Sequence, residues 1–190
     1  MRVLLASTSY PRGPDDWKVP FIKNLVYALA AAESVDLRLC APLGDVPDGV
    51  SNILTARELE WFHRMLAAGG IAHLLRSQGW KASGTVLRLL GLQRRAYRRA
   101  ADADLFHVNW LQNSIPLWGI DKPAVISVLG TDFALLDRPG MVTLLRVTLG
   151  RRRAVIAPNA GWMVRRCATS AGPARPAAPF PTAAEWWSSP

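Results

Sequence analysis

Cysteine is nearly missing from this 190-residue chain, which has two, Cys40 and Cys167. Two cysteines build neither a disulfide framework nor, on their own, a four-ligand zinc site. No pairing logic is visible, so both read as reduced thiols. Long apolar runs are missing too. Nothing approaches the roughly 18 uninterrupted apolar residues of a membrane-spanning helix. Met1-Arg2 is followed only by Val3-Leu4-Leu5-Ala6 before the polar Ser7-Thr8-Ser9, too short for a secretory signal. The expectation is a cytoplasmic chain, with contact at the inner face of a membrane as an option.

Acidic residues are few. Asp and Glu number 14 against 23 Lys and Arg, a formal net charge of +9. Charged residues make up 19% and apolar residues 50%, which is too apolar for a disordered chain and suits one domain with a real core. The three histidines, His63, His73 and His107, do not sit at ligand spacing with cysteines or carboxylates, so no metal site is expected. There is no phosphate-binding P-loop and no G-x-S-x-G element. No cofactor is expected.

What is present is alternation of strand and helix patterns. Val3–Ala6 is a short apolar run of the kind a buried parallel strand shows. A loop follows, with Asp15 and Asp16 as candidate helix caps and Pro20 near a first turn. Phe21, Leu25, Ala28, Leu29 and Ala32, with Ile22 and Val26, predict a helix over 20–33 with a wide buried face. Val35 to Ala41 alternates as a second strand, ended by Pro42 and Gly44. Strand, helix and strand at this spacing make a right-handed βαβ unit.

Residues 45–57 read as loop and 58–69 as helix, ending at Gly69-Gly70. A longer helix spans about 85–101, with Val86, Leu89, Leu90, Ala96, Tyr97 and Ala100 on one face. Strands follow at 105–109, 124–129 and 154–157, with a helix near 140–149 and another starting near Ala160. The expected fold is α/β: a Rossmann-like, doubly wound, mostly parallel sheet with helices on both faces, as a single domain plus an irregular tail. Such sheets bind ligands beyond the carboxyl ends of their strands. Those ends are Ser7-Thr8-Ser9, Asn109-Trp110, Gly130-Thr131-Asp132 and Pro158-Asn159.

The last stretch does not continue the pattern. Residues 167–190 are rich in Pro, Ala and Ser, and Trp186-Trp187 stand alone. Two readings stay open: a disordered tail, or a segment out of register with the original reading frame. The domain assignment is therefore 1–166 and a tail at 167–190.

Several motifs resemble the N-terminal domain of glycosyltransferase family 4 proteins. They are Ser7-Thr8-Ser9-Tyr10-Pro11-Arg12-Gly13, Phe21-Ile22 with its helix, Asp104 to Trp110, Ser127-Val128-Leu129-Gly130-Thr131-Asp132, and Ala157 to Met163. They occur in the family's order and cover residues 1 to about 166. The resemblance implies the GT-B architecture, two Rossmann-like domains facing across a cleft. The N-terminal one mostly holds the acceptor, and the C-terminal one the nucleotide-sugar donor, usually through a spaced pair of glutamates. After Met163 this sequence has one glutamate, Glu185, so that pair is lacking here. Two departures stand out. Leu129 occupies the place of a frequent histidine, and Gly13 stands alone before Pro14 where many members have two glycines. A proline removes one amide donor, which weakens phosphate cradling by that loop.

The resemblance thus implies the acceptor-binding half of a hexosyl-type glycosyltransferase that transfers a sugar from a nucleotide sugar to a hydroxyl acceptor. By itself this half is expected to be inactive, with the donor held mainly by a domain it lacks. The other reading is a free-standing Rossmann-like binding or interaction module that is not an enzyme, paired with a separate donor-domain chain or standing alone. The substrate-binding candidates are Ser9, Gly13, His107, Asn109, Trp110, Gly130, Thr131, Asp132 and Asn159, with Asp132 also the catalytic candidate.

Each candidate has a plainer reading. Asp132 and Asn159 are also placed to cap the helices that follow them. His107 sits within a strand, where a buried, hydrogen-bonded ring is the commoner outcome. Trp110 could stack on a sugar or close the core rim. Arg94, Arg95, Arg98 and Arg99 share a helix, and Arg151-Arg152-Arg153 form a run. They read as a solvated face or as a contact for anionic lipid that would suit a lipid-linked acceptor. Nucleic acid is disfavoured, because no recognition-helix motif and no interleaved stacking aromatics accompany them.

Overall fold

The computed structural model describes residues 1–13, 16, 19–130, 132–149 and 152–164. The expected tail at 167–190, with Cys167, lies outside the described residues, as do Asp15, Thr131 and Arg151. The chain divides into two compact units, with the boundary between Asp104 and Leu105.

The first unit opens with β1 (Arg2–Ala6), in which Val3, Leu4, Leu5 and Ala6 are all buried. A strand apolar on both faces belongs inside a parallel sheet. Helix α1 (Pro20–Ala30) follows, with the proline in its first turn, where the lost amide costs nothing. Its N-cap is Val19 at φ 48°, without a side-chain bond. The expected cap by Asp16 is not made. Its carboxylate accepts the Arg12 amide at 3.1 Å instead, which closes the preceding loop. The buried stripe of α1 is also narrower than expected. Ile22 and Val26 are buried one helical turn apart, while Phe21 is 46% exposed and Ala28 is exposed.

Strand β2 (Asp36–Cys40) pairs parallel with β1, from Arg2 opposite Asp36 to Ala6 opposite Cys40. The Cys40 thiol is free and buried, and burial pushes its pKa up to about 12, so it is chemically quiet. A two-residue strand, β3 (Ser51–Asn52), joins the outer edge of β2 in what the sequence presents as loop. Helix α2 (Ala56–Ala67) starts with a capping box: Thr55 Oγ1 accepts the Glu58 amide at 3.4 Å, and Glu58 Oε2 accepts the Thr55 amide at 2.9 Å.

Helix α3 (Gly70–Gln78) has no counterpart in the sequence reading, which ends a helix at Gly69-Gly70. Both glycines have positive φ, 93° and 75°, so the pair turns the chain between two helices. A 3₁₀ turn leads into α4 (Ser83–Arg99), which buries Leu89, Leu92, Gln93, Ala96 and Tyr97.

The second unit carries β4 (Leu105–Asn109), a 3₁₀ segment (Leu111–Leu117), β5 (Ala124–Val128), a second 3₁₀ turn (Phe133–Asp137), α5 (Met141–Leu149) and β6 (Ala154–Pro158). Strands β4, β5 and β6 are parallel neighbours, with Asn109 opposite Ser127 and Val128 opposite Pro158. Phe106, Val108, Ile126, Val128 and Leu145 are buried. Residues 161–164 begin the helix expected after Ala160.

The hydrogen-bonding order of the strands is β3-β2-β1-β4-β5-β6. This is the doubly wound order of a Rossmann-like α/β fold, running outward from β1 and again outward from β4. No described helix is long and apolar enough to cross a membrane.

Candidate functional site

Asp132, two residues beyond Gly130 in the segment after β5, is 2% exposed. One carboxylate oxygen accepts the Leu111 amide at 2.7 Å, and the other accepts the Leu129 amide at 3.0 Å. The carboxylate therefore ties the segment after β4 to the segment after β5. It does not cap the turn that follows it, so the helix-cap expectation is corrected. Because each oxygen is aimed at a backbone amide, the carboxylate is engaged in holding the loops.

The same loops are stitched at two further points. Asn113 Nδ2 donates to the Asn109 carbonyl at 2.7 Å, and Ser114 Oγ donates to the Leu111 carbonyl at 2.6 Å. Asn109 and Asn113 are each 1% exposed. Between them Trp110 sits at φ 65° and ψ 130°, a conformation that costs a non-glycine residue about 1–3 kcal/mol. The Asp132 and Asn113 bonds on either side hold it there. The Trp110 ring is almost wholly buried, which favours the core-rim reading of this side chain. Gly130 has φ 107°, and a Cβ added there would lie 3.6 Å from Met163 Cε. Its need for glycine comes from the turn and not from crowding.

His107 and Ser127 are a half-buried polar pair in this unit. They come from adjacent strands, and His107 Nε2 lies 2.9 Å from Ser127 Oγ. Burial depresses the His107 pKa to about 4, so the ring is neutral near pH 7. A neutral imidazole beside a hydroxyl is a hydrogen-bonding pair suited to another hydroxyl. Asn159 is exposed, and its amide donates to the Val128 carbonyl at 3.0 Å, which continues the β5–β6 pairing.

In the first unit Ser9 is half-buried. Its amide donates to Ser7 Oγ at 3.3 Å, while the Ser7 hydroxyl donates to the Ser9 carbonyl. Gly13 has nothing within 4 Å of a built Cβ, so open space lies beside it. The carboxyl end of β2 is held by Asp45, whose oxygens accept from Lys23 Nζ at 2.5 Å and Tyr27 Oη at 2.9 Å. Bonds from Lys23 and Tyr27 hold the Asp45 carboxyl below the usual carboxylate range.

The expected basic surface is partly structural. Arg99 Nη2 lies 2.5 Å from Glu58 Oε2 and also donates to the Ile53 carbonyl at 3.3 Å. Arg152 donates to the carbonyls of Leu117 at 2.8 Å and Thr148 at 3.3 Å. Arg95, Arg98 and Arg153 are exposed, and Arg94 is half-buried. Sequence reasoning missed Asn113, Ser114 and Ser127 as parts of the loop framework. Their partners are set by strand pairing and by a 3₁₀ turn, neither of which has a residue motif.

No protein-family model matches this chain, and neither a curated protein nor a solved structure does.

Proposed function

We propose that this chain is the acceptor-binding half of a glycosyltransferase, in line with the family 4 resemblance of its motifs. The observation that carries the reading is where those motifs fall. Ser7-Thr8-Ser9, Asn109-Trp110, Leu129 to Asp132 and Pro158-Asn159 each lie at the carboxyl end of a parallel strand, the ligand-binding end of such sheets. His107 and Ser127 offer uncharged hydrogen-bonding groups of the kind a sugar hydroxyl takes. In such transferases rate comes from orienting acceptor and donor and from stabilising the departing diphosphate, and the second of these tasks falls to a donor domain.

A second reading, a binding module without catalysis of its own, is favoured by Asp132. A general base must reach the acceptor proton, and both of its oxygens are bonded to backbone amides.

Saturation-transfer NMR on the 190-residue chain, with methyl glycosides, inositol and nucleotide sugars as probes, tests the reading. We expect transfer to at least one polyol, weakened by Ser127→Ala, and no release of nucleoside diphosphate from a nucleotide sugar by the chain alone. Binding confined to the nucleotide moiety would overturn the acceptor assignment.

A further inference from the structure

A cavity of about 340 Å³ opens on the first unit, at the carboxyl end of β2. Its volume lies within the roughly 300–1,000 Å³ of small-molecule sites, which are mostly apolar with a few convergent polar groups. Pro42 and Leu43, the second and third residues after β2, form one wall, and Ala56, Leu59 and Leu66 of α2 form the other. Leu43 is 67% exposed at the lip, so apolar surface is left open to water here.

Three polar side chains line the same cavity: Arg12 from the loop after β1, and Glu60 and His63 from α2. Glu60 is placed 3.8 Å from Arg64 on its own helix. Among the described residues, the Arg12 guanidinium has no ion pair and no hydrogen bond, and the His63 ring has no hydrogen bond. Arg12 itself is set by its backbone, whose amide bonds to Asp16 at 3.1 Å. A mostly apolar cavity whose lining also carries one guanidinium and one imidazole without hydrogen bonds among the described residues, with the Glu60 carboxylate placed beside Arg64, matches a particular shape of ligand.

We propose that this cavity binds an amphipathic anion, an apolar chain ending in a phosphate or carboxylate head. The chain lies between Leu43 and the Leu59–Leu66 face of α2, and the head meets Arg12, with His63 as a second donor. Arginine suits this role because its fork of donors fits a planar or tetrahedral oxyanion. Calling the ligand the acceptor rests on the preceding reading; the binding itself does not.

Calorimetric titration of the chain with monomeric octyl phosphate tests the inference, with inorganic phosphate, octanol and octyltrimethylammonium as comparison probes. Octyl phosphate is expected to saturate a single site and to bind at least about tenfold more tightly than any of the three. Octanoate is the second anionic arm and is expected to compete with octyl phosphate. Arg12→Gln, an exposed position that the fold does not use, should weaken octyl phosphate about tenfold and leave octanol unchanged. Leu59→Glu should abolish binding in a chain whose circular dichroism and melting confirm folding; His63→Gln should weaken it less than Arg12→Gln. The inference is overturned if inorganic phosphate, octanol or the cationic amphiphile binds as tightly as octyl phosphate, or if Arg12→Gln has no effect. Octyl phosphate binding without any polyol binding would sink the acceptor reading and leave this inference standing. Polyol binding without octyl phosphate binding would do the reverse.

Discussion

Asp132 reaches from the turn after β5 to accept the Leu111 amide at 2.7 Å, across 21 residues of sequence. That single contact joins two of the segments on which the functional reading depends. It also explains how Trp110 is kept at φ 65° immediately before the bonded amide.

Replacing Asp132 by alanine leaves the Leu111 and Leu129 amides without their acceptor. Each lost charge-assisted bond costs about 1.5–3 kcal/mol, so Asp132→Ala is expected to destabilise the chain by about 3 kcal/mol or more. Asp132→Asn keeps one acceptor and should cost less. Urea unfolding of both variants gives the comparison. Equal stability of Asp132→Ala and the parent chain would mean that the clamp is dispensable.

Glu58 offers a test of the α2–α4 connection. It is 8% exposed, and it meets Arg99 at 2.5 Å and Arg95 at 3.8 Å. Burial would raise its pKa, but the Thr55 amide and the Arg99 guanidinium outweigh that and hold it below the usual value. Arg99→Ala leaves a buried carboxylate with the Thr55 amide and, as its remaining counter-charge, only Arg95 at 3.8 Å, and about 2–4 kcal/mol of stability should be lost. In the double variant with Glu58→Gln the two losses should not add, because the second change removes the charge stranded by the first. Strict additivity in denaturant melts would show that the pair is not coupled.

Gly44 stands where no side chain fits. A Cβ there would lie 2.0 Å from the Pro11 carbonyl oxygen and 2.5 Å from Tyr10 Cδ1. Gly44→Ala must push the loop after β1 away from the loop after β2, at an expected cost of about 1–3 kcal/mol. Tyr10 Oη now donates to the Asp45 carbonyl at 2.8 Å, and that contact should be disturbed as well. A crystal structure of the variant, or the shift of Tyr10 resonances, reads the displacement directly.

The sequence carries the strands more fully than the site. β4 occupies Leu105–Asn109 as its alternation predicts, and β1 falls where the apolar run lies, because both signals are local. β3 is two polar residues, Ser51–Asn52, and owes its existence to the edge of β2, which leaves no local mark. α3 is hidden by Gly69-Gly70, since two adjacent glycines signal a stop whether the next segment is loop or helix. The strand-end residues were legible as positions, but their roles were not. Whether Asp132 caps forward or bonds back to Leu111 depends on where the β4 segment runs. The cavity draws Arg12 and His63 together from distant parts of the sequence, and no spacing rule joins a β1 loop to the second turn of α2.

His107 should make stability pH-dependent in a definable window. Burial lowers its folded pKa to about 4, against an ordinary value of 6.5. Between those values the unfolded chain binds a proton at this position and the folded chain does not. The unfolded state therefore gains as pH falls, and stability declines from about pH 6.5 down through about pH 4. Above the upper value both states are neutral and the group contributes no slope. For this half-buried ring the expected loss between pH 7 and pH 5 is about 1–2 kcal/mol. His107→Gln retains a partner for Ser127 Oγ but cannot titrate, so its stability should stay nearly flat over the same range. The carboxylates held down by their partners, Asp45, Glu58 and Asp102 (which accepts from Arg38 Nη2 at 2.9 Å), act mainly at lower pH, where protonation of the unfolded chain begins. Guanidinium unfolding at pH 5, 6 and 7 on both chains isolates the histidine. Parallel slopes would place the titration elsewhere and remove the basis for treating the His107–Ser127 pair as neutral in the lower half of that range.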